Sequence, residues 1–363
     1  MIQQHLHPIM VEDITGIINM TDDWSTLRNS VILITGASGM VASYLLYTLI
    51  HLNDTKGLKI KLVVLLRDPV KLKLQCSGLV CRDDVTLVKQ DICTPPQYEG
   101  HVDYIVHAAS PANPHCFSLD PVGTIKANVI GTYNLLELAR RNKARKFIFL
   151  SSAEVYGSLS VDRLITEDMI GILDNTIVRS CYPESKRLSE TYCSAYMSQY
   201  GIPCHTVRMA HIYGPSLHWD DGHVIAEFLR NVIIGSDIVL RSDGRLERSY
   251  TYVADAVTGI LAILLSGKEF VYNLGNEAEI ISIHNLAQSV IDLEPQKGLK
   301  IAFDIPAANA NTGFLPYNLG LISSNRLRGL GWAPKTTLCE GLLKTFLVFK
   351  HNNEHPVGDD LDN

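Results

Sequence analysis

The stretch VILITGASGMVA, residues 31–42, decides the fold class of this chain. A short β-branched run ends at Thr35 and is followed at once by glycine, which is typical of a buried parallel strand that leads into a tight turn. Small residues recur three apart here, and they allow the backbone to approach a pyrophosphate at the N-terminus of the next helix. Such turns also occur for purely structural reasons, so the context decides. The turn predicts a dinucleotide site formed by Gly36, Ser38, Gly39 and Met40.

Strand and helix patterns alternate beyond this turn. After the apolar helix pattern at 40–52, strands are expected at 59–66, 85–89, 102–110 and 145–152, and a further helix at 122–141. This alternation predicts the α/β class, with a Rossmann-like, doubly wound parallel sheet and a smaller α/β substrate lobe at the C-terminal side. The expected divisions are an N-terminal helical extension (1–30), a dinucleotide-binding Rossmann domain (31–205), a mainly substrate-binding lobe interleaved with it (206–350) and a disordered tail (351–363).

The composition argues against several classes of protein. The 363 residues are 46% apolar and 19% charged, with a net charge of −6, which is ordinary for a globular protein. The acidic balance gives no electrostatic footprint for nucleic acid or an anionic membrane, and neither a membrane span nor a signal-peptide pattern is expected. The eight cysteines form no CxxC or paired Cys/His spacing, so we expect reduced thiols, a cytoplasmic protein and no metal site.

Two further strand ends support a dinucleotide. The segment KQDIC after the third strand supplies Asp91 and Ile92, and the Asp91 carboxylate is suited to accept from an adenine amino group. The segment HAAS after the fourth strand supplies Ala108 and Ala109, whose small side chains would let the cofactor lie close. Taken singly, each segment equally fits an ordinary strand-end loop. Together with the glycine-rich turn they predict an NAD(P) cofactor.

The end of the second strand, LLRDP, bears on the choice between NAD and NADP. An acidic residue here usually binds the ribose 2′-hydroxyl of NAD, whereas an arginine accommodates the 2′-phosphate of NADP. Arg67 therefore favours NADP, and Asp68 leaves NAD open.

A tyrosine and a lysine four residues apart, in SCYPESKR (180–187), form the candidate catalytic pair with a serine from FLSSAEVYG (149–157). The spacing alone occurs by chance on many solvated helix faces. Ser152, however, ends the fifth strand at the edge where α/β sheets bind ligands, and Tyr182 and Lys186 follow on the next helix. The tyrosinate would take a proton from a sugar hydroxyl, and Ser152 would hold the reacting oxygen. Lys186 and a cationic nicotinamide ring are expected to lower the tyrosine pKa from its usual value of about 10, and both residues are expected to touch the cofactor.

Ordered motifs over residues 31–345 carry a family resemblance. They are TGASGMVA, QDI, HAAS, SSAEVYG, YPESK, RMAHIYGP, RSYTYVAD and LGW. In this order they resemble the extended short-chain dehydrogenase/reductases of the NAD-dependent epimerase/dehydratase family. Within it, the helix RSCYPESKRLSETYCSAYMSQYGI is similar to that of the UDP-glucuronate decarboxylases. The resemblance implies oxidation of a UDP- or dTDP-linked sugar at C4, a homodimer, and neither a nucleic-acid nor a membrane partner.

The same resemblance implies roles for single residues. Tyr182 would be the base, Lys186 its partner, Ser152 the hydroxyl that assists, and Glu154 a supporting or acid/base carboxylate. The substrate would be contacted by Ser110, His211, His223 and Arg248, with Arg248 on the nucleotide diphosphate. The other arginines of these motifs, Arg179, Arg187 and Arg208, are interpreted as structural or solvated, which is the usual fate of an arginine.

Ala153 bears on the reaction type. The 4,6-dehydratases that this chain resembles carry adjacent Asp and Glu after the Ser/Thr, and Ala153 stands where that Asp would be. A methyl group cannot protonate a departing hydroxide, so dehydration is disfavoured. Decarboxylation, 4-epimerisation and reduction of a 4-keto sugar stay open, because His211 replaces the usual asparagine of the decarboxylases, and Ser216 and His223 replace arginines. A non-catalytic dinucleotide-binding sensor or scaffold is the alternative of another class, although such relatives tend to lose the catalytic trio.

Overall fold

A seven-stranded parallel sheet forms the centre of the protein. The computed structural model describes residues 2–70, 72, 77–79, 82–111, 114–159, 163–219, 222–305 and 321–354. The strands of the central sheet are β1 (Val31–Thr35), β2 (Lys61–Leu66), β3 (Val85–Lys89), β4 (Tyr104–His107), β5 (Lys146–Ser152), β6 (Cys204–Met209) and β10 (Val271–Leu274). Their order is β10-β6-β5-β4-β1-β2-β3, with every neighbouring pair parallel. The predicted doubly wound parallel sheet is confirmed.

Helices cover both faces of this sheet. Within the described residues they are α1 (Pro8–Ile18), α2 (Met40–Lys56), α3 (Pro114–Leu119), α4 (Pro121–Asn142), α5 (Cys181–Tyr200), α6 (Val224–Ile234), α7 (Val253–Ser266), α8 (Ile283–Ile291), α9 (Asn325–Arg328) and α10 (Leu338–Glu354). Successive residues of β1 point to opposite faces. Ile32 and Ile34 pack in the apolar core that includes α2, whereas Leu33 packs in the one that includes α4 and α5.

The helix that follows the glycine-rich turn is buried along most of its length. Residues 42–52 of α2 are all buried, because α2 lies on the sheet and is covered by α1 and α7. A helix enclosed in this way is fixed in position, and its N-terminus is held at the carboxyl edge of the sheet. That edge is where parallel α/β sheets bind their ligands.

The smaller lobe contains two further sheets. The chain returns in β7 (His211–Tyr213), β8 (Ile238–Leu240), β9 (Glu247–Tyr252), β11 (Ile280–Ser282) and β12 (Ile301–Phe303). These strands form a three-stranded sheet in the order β11-β9-β7 and a parallel pair of β12 with β8. The predicted boundary after residue 205 falls inside β6, and β10 returns to the central sheet from within the predicted substrate lobe.

Both ends of the described chain are helical. α1 lies within the predicted N-terminal extension and packs on α2 and α7. α10 continues to Glu354, so the first four residues of the predicted disordered tail, 351–354, are helical. They are polar and exposed, so this last turn extends a helix that its buried residues up to Phe349 hold in place. Residues 355–363 lie outside the described part. Throughout the described ranges, no helix has both the length and the apolar character needed to cross a membrane.

Candidate active site

The glycine-rich turn joins β1 to α2 at the carboxyl edge of the sheet. Gly36 has a φ of +71°, a left-handed conformation that side chains disfavour. A Cβ atom at this position would lie 2.8 to 2.9 Å from the backbone of Ala108 and Ala109. α2 begins after Gly39, which offers no side chain to the N–H groups of the first helical turn. A phosphate at this helix N-terminus would be their natural partner, so the turn fits a dinucleotide.

The end of β4 is bonded to the end of β1 through Thr35. The Thr35 hydroxyl accepts hydrogen bonds from the N–H groups of Ala108 at 3.2 Å and Ala109 at 3.1 Å. It also lies 3.0 Å from Nδ1 of His107. Burial, and then the charge of Lys186, lowers the pKa of His107 to about 3, so this imidazole is neutral near pH 7. His107 therefore supports the strand ends and is not suited to act as an acid.

The ends of β2 and β3 bring Arg67 close to Asp91. Arg67 and Asp68 are exposed, and Asp68 accepts from the N–H two residues further on at 2.9 Å. The Asp91 carboxylate accepts from the N–H of Cys93 at 2.7 Å. This bond, with help from Arg67, lowers the pKa of Asp91, while partial burial opposes it. Ile92 beside it is buried. Exposed charge of both signs is thus available where the adenosine half of a dinucleotide would lie.

Tyr182 lies in the first turn of α5, beside the end of β5. Its side chain is buried and hydrogen-bonds with Ser152. One turn further along α5, Lys186 donates from Nζ to the carbonyl oxygen of Leu150 at 2.8 Å. The same Nζ lies 5.8 Å from the centre of the Tyr182 ring. The structure therefore brings the three sequence-predicted side chains together at the carboxyl edge of the sheet.

The expected lowering of the Tyr182 pKa by Lys186 together with a nicotinamide ring stays a prediction, because burial has the largest effect on this pKa in the protein alone. Burial raises the pKa of Tyr182 well above its usual value, and the charge of Glu154 raises it further, while the hydrogen bond with Ser152 and the charge of Arg179 act against this. Burial also lowers the pKa of Lys186 to about 7, against a smaller opposing effect of the Glu190 charge. Both groups are too enclosed to hold their charges at low cost. A pattern of residue types cannot reveal that desolvation.

Glu154 is held next to this trio by an arginine. It follows Ser152 in the 3₁₀ turn Ala153–Tyr156, and its N–H donates to the Ser152 hydroxyl at 3.2 Å. Its Oε1 accepts from Nη2 of Arg179 at 2.8 Å, and only 10% of the Arg179 side chain and 16% of the Glu154 side chain are exposed. The sequence interpretation of Arg179 as structural or solvated therefore missed a charged group that pairs with Glu154 and acts on Tyr182.

A second cluster comes from the smaller lobe. Burial lowers the pKa of Arg248 in β9, while Tyr250 and Glu154 act in the opposite direction, which places Arg248 within electrostatic range of Glu154. Burial, followed by the charges of Arg248 and His223, lowers the pKa of His211 to about 3. The rings of His211 and Tyr250 lie 5.5 Å apart. The two clusters therefore face one site, and three of the predicted substrate residues, Arg248, His211 and His223, lie in it.

Tyr250 is a further candidate that the residue predictions did not include. Its hydroxyl is buried and has no hydrogen-bond partner among the described residues. A buried phenol normally finds a partner, so this hydroxyl is a candidate contact for a ligand. The signal was the aromatic strand SYTYV directly after Arg248, whereas Arg179 stood out only by its position three residues before Tyr182.

Two other arginines stabilise the elements that carry these residues. Arg208 donates to both oxygens of Glu190 at 2.7 to 3.2 Å, and Glu190 accepts from the Ser151 hydroxyl at 2.6 Å. Arg187 donates to the carbonyl oxygens of Val155 and Gly171 at 2.6 and 2.8 Å. These bonds fix β5, α5 and the turn that carries Glu154.

Ser110, the fourth predicted substrate contact, bonds within its own loop, and two residues of the loop after β7 approach the glycine-rich turn. The Ser110 hydroxyl donates to the carbonyl oxygen of Pro111 at 3.0 Å. Ser216 lies 3.4 Å from the carbonyl oxygen of Met40, and His218 lies 3.4 Å from that of Ser38. The loop after β7 thus rests against the glycine-rich turn. Within the described ranges, no group of three or more His, Cys, Asp or Glu side chains is arranged to hold a metal ion.

Comparisons with known proteins add family and fold. The model of the NAD dependent epimerase/dehydratase family matches residues 32–275. UDP-glucuronic acid decarboxylase 1 of Xenopus tropicalis is 33% identical over 331 residues, which cover 90% of this chain and 74% of that protein. UDP-glucuronic acid decarboxylase 6 of Arabidopsis thaliana is 34% identical over 326 residues, which cover 88% of this chain and 90% of that one.

A solved structure shows the same fold. The UDP-glucuronic acid 4-epimerase from Bacillus cereus, in complex with UDP-glucuronic acid and NAD, superposes with a TM-score of 0.74 at 22% identity. The match covers 88% of this chain and 99% of that one.

Proposed function

This chain belongs to the NAD-dependent epimerase/dehydratase family, and from that premise we propose that it acts on a UDP-linked sugar by oxidising C4, as a UDP-glucuronate decarboxylase. The observation that carries this proposal is the meeting of Ser152, Tyr182 and Lys186 with the carboxylate of Glu154 at one site. The decarboxylases of Xenopus and Arabidopsis, each about one third identical over most of this chain, support the choice of substrate.

The side chains at the site suit the proton steps of such a reaction. A bound nicotinamide would supply the hydride acceptor and, in its oxidised form, a positive charge beside the phenol. Tyr182 would hold the proton that leaves the C4 hydroxyl, and Ser152 would hydrogen-bond that oxygen. A C4 ketone makes glucuronate a β-keto acid, in which the C5–carboxyl bond breaks as carbon dioxide leaves and a proton then adds at C5. Return of the hydride to C4, with the proton passing back from Tyr182 to the C4 oxygen, would then give the UDP-pentose with no net oxidation. Ala153 gives no proton for release of a C6 hydroxide, so a 4,6-dehydration is not supported.

A parallel substrate comparison tests this proposal. UDP-glucuronate, UDP-glucose, dTDP-glucose and a 4-keto-6-deoxy sugar nucleotide are each incubated with the protein, and the products are identified by mass and by NMR. We expect carbon dioxide and a UDP-pentose from UDP-glucuronate, and no 4-keto-6-deoxy product from either glucose nucleotide. A change of C4 configuration without loss of mass would point to an epimerase, and consumption of reduced cofactor by the keto sugar to a reductase. Cofactor binding without turnover of any of the four would favour a sensor or scaffold and contradict the proposal.

We further propose that the cofactor is NADP(H). The support is Arg67, which is exposed at the carboxyl end of β2 within electrostatic range of Asp91, whereas Asp68 accepts a hydrogen bond from its own turn. A planar guanidinium suits a 2′-phosphate. Mass spectrometry of the cofactor released when fresh protein is denatured tests this. Release of NAD alone would mean that Arg67 does not select the cofactor.

A homodimer is the third proposal. Helices α4 and α5 pack side by side and expose large apolar side chains, with 60% of Val122, 42% of Ile125 and 47% of Leu188 accessible. A second copy of this chain would cover them in an isologous contact. We expect Leu188→Glu to reduce the mass measured by light scattering to that of a monomer. Ile234→Glu, which changes an exposed side chain at the end of α6, should leave that mass unchanged. A monomeric wild-type protein at micromolar concentration would contradict the proposal.

A cytoplasmic location is also proposed. It is supported by the free thiols of Cys93, Cys181, Cys193, Cys204 and Cys339, since oxidising compartments favour disulfides.

A further inference from the structure

Arg179 links three elements at the catalytic tyrosine. It lies in the 3₁₀ turn Val178–Ser180 before α5 and pairs with Glu154 of the turn after β5. Its guanidinium carbon lies 4.5 Å from the centre of the Phe117 ring, which comes from α3. The Phe117 ring stacks on Tyr182, with centroids 4.5 Å apart and planes 23° from parallel. The guanidinium and the phenol therefore both contact the Phe117 ring, and the guanidinium also pairs with Glu154.

Burial of this ion pair costs more free energy than apolar packing of the same volume would. Nε and Nη1 of Arg179 and Oε2 of Glu154 are all buried, and none has a hydrogen-bond partner within the described residues. Buried charged groups with unsatisfied atoms destabilise a fold, and apolar residues of similar volume often replace such a pair without loss. Packing alone therefore does not account for an arginine here. Its charge and its planar shape must act on a neighbour.

We propose that Arg179 is a positioning residue of the reaction, which orients the Tyr182 phenol through Phe117 and fixes Glu154 beside it. The inference rests on the proposed function, in which Tyr182 is the proton acceptor. The charged groups that face Tyr182 are Glu154 from the turn after β5, Arg179 from the turn before α5 and Lys186 from α5 itself. Arg248 of β9 acts on Glu154 in turn.

The direction of the electrostatic effect follows from these charges. Glu154 raises the pKa of Tyr182 and Arg179 lowers it. Loss of Arg179 leaves the Glu154 charge uncompensated, so a larger fraction of Tyr182 stays protonated at a given pH. Simultaneous loss of the Glu154 charge should cancel this shift.

Four variants test the proposal. Arg179→Met keeps the length of the side chain and loses its charge. Arg179→Lys keeps the charge and loses the planar guanidinium that contacts Phe117. Glu154→Gln is made alone and together with Arg179→Met. Arg82→Met is the matched control, because Arg82 also pairs with two carboxylates, those of Asp54 and Asp84, but lies before β3 at the opposite edge of the sheet. Thermal unfolding of each variant separates a general loss of stability from a local effect.

The first readout needs no turnover. In protein labelled at the tyrosine Cζ with carbon-13, the Tyr182 signal is the one absent from Tyr182→Phe. We expect Arg179→Met to shift or broaden this signal, Arg179→Lys to do so less, and Arg82→Met to leave it in place.

The second readout is the pH dependence of carbon dioxide release from UDP-glucuronate. For Arg179→Met we expect the rising limb of the pH–rate profile to move to higher pH. We also expect kcat near pH 7 to fall about 10- to 100-fold and KM to change less than about threefold, since orientation of the phenol is lost and substrate binding is not. The double variant should return the limb toward that of wild type. If Arg179→Met lowers stability as Arg82→Met does but leaves both the Tyr182 signal and the pH limb unmoved, Arg179 is only structural and the inference is overturned. If Arg179→Met does not fold, Arg179→Lys decides in the same way. Absence of carbon dioxide release from UDP-glucuronate in wild type would reject the proposed function, and the tyrosine signal would still decide the role of Arg179.

Discussion

At the scale of single residues, the proton acceptor gives the sharpest prediction. Tyr182→Phe keeps the ring that stacks on Phe117 and removes only the hydroxyl that hydrogen-bonds with Ser152. Binding of the cofactor and of the sugar nucleotide, measured by calorimetry, should therefore stay within about threefold of wild type. Turnover should fall by about 10²- to 10⁴-fold, the usual contribution of a positioned general base. Retention of more than about a tenth of the wild-type rate would exclude Tyr182 as the base.

Lys186 gives a prediction for stability as a function of pH. Its pKa is about 7 in the folded protein, against an ordinary value of 10.5 in the unfolded chain. Between these values the unfolded chain binds more protons at this site, so the free energy of unfolding rises with pH. Relative to Lys186→Met, wild type should gain about 2 kcal/mol between pH 7 and pH 9.

Urea unfolding at pH 7, 8 and 9 measures that gain. Lys89→Met, which replaces an exposed lysine at the end of β3, is the control and should give a difference that does not change with pH. A flat difference for Lys186→Met as well would mean that Lys186 keeps an ordinary pKa in the fold.

Residue types in a pattern revealed the site only in part. Ser152, Tyr182 and Lys186 could be predicted, because their chemistry makes sense only together. Arg179, Arg187 and Arg208 look alike in sequence. Arg187 nevertheless donates to backbone carbonyls and Arg208 to Glu190, whereas Arg179 contacts the Phe117 ring that stacks on Tyr182. That difference depends on the element that carries each side chain, which is the turn before α5 for Arg179, α5 for Arg187 and β6 for Arg208. No local spacing encodes it.

At the scale of elements, the glycine-rich turn after β1 lies close to the backbone at the end of β4, and substitution of its first glycine tests how much room is left there. Gly36→Ala would place a methyl group against the backbone of Ala108 and Ala109 and would also strain a left-handed residue. Gly57 at the end of α2 has a similar φ of +59° but open space around it, so Gly57→Ala carries the strain alone.

We expect Gly57→Ala to cost about 1 kcal/mol of unfolding free energy, and Gly36→Ala at least about 1 kcal/mol more. Gly36→Ala should also weaken cofactor binding, because the strand ends must separate. Urea unfolding and calorimetric titration with the cofactor measure the two effects. Equal costs for the two variants would show that the turn has room to relax.

The positions of strands and helices could be predicted from the apolar periodicity of the sequence. Their exact ends could be predicted less well. The fourth strand was expected over 102–110 but spans Tyr104–His107, since the N–H groups of Ala108 and Ala109 bond to the Thr35 side chain and not to a neighbouring strand. A side-chain bond of this kind stops a strand without any glycine or proline to mark the place. It also opens the cleft at the carboxyl edge.

At the scale of the whole molecule, the chain does not divide cleanly at one point. β10 leaves the smaller lobe to pair with β6 at the edge of the central sheet. The order of strands in a sheet is a long-range property, and sequence patterns report mainly local ones. The expected divisions allowed for interleaving, but the sequence did not show that β10 would be the seventh strand of the central sheet.

The N-terminal helix α1 is bonded to elements that are far apart in the sequence. Asp13 of α1 is buried and accepts hydrogen bonds from the hydroxyls of Tyr44 in α2 and Tyr252 at the end of β9, at 3.2 and 2.6 Å. It also pairs with Lys344 of α10 at 3.0 Å. One carboxylate thus joins an element of the central domain to two from the smaller lobe. A detachable extension would lack such contacts.

Asp13→Ala should therefore destabilise the entire protein and not only its first helix. The change leaves two buried hydroxyls and the mostly buried Lys344 without this partner, and breaking a pair of this kind costs about 3 kcal/mol. Its neighbour Glu12 supplies the matched control, because it reaches the same lysine at 3.7 Å from a side chain that is 72% exposed. Glu12→Gln should cost less than about 1 kcal/mol. Urea unfolding followed by circular dichroism and by tryptophan fluorescence should show one coincident transition at lower urea for Asp13→Ala. Two separate transitions, or an unfolding free energy equal to that of Glu12→Gln, would contradict this prediction. Either result would mean that α2, β9 and α10 hold together without the bonds of Asp13.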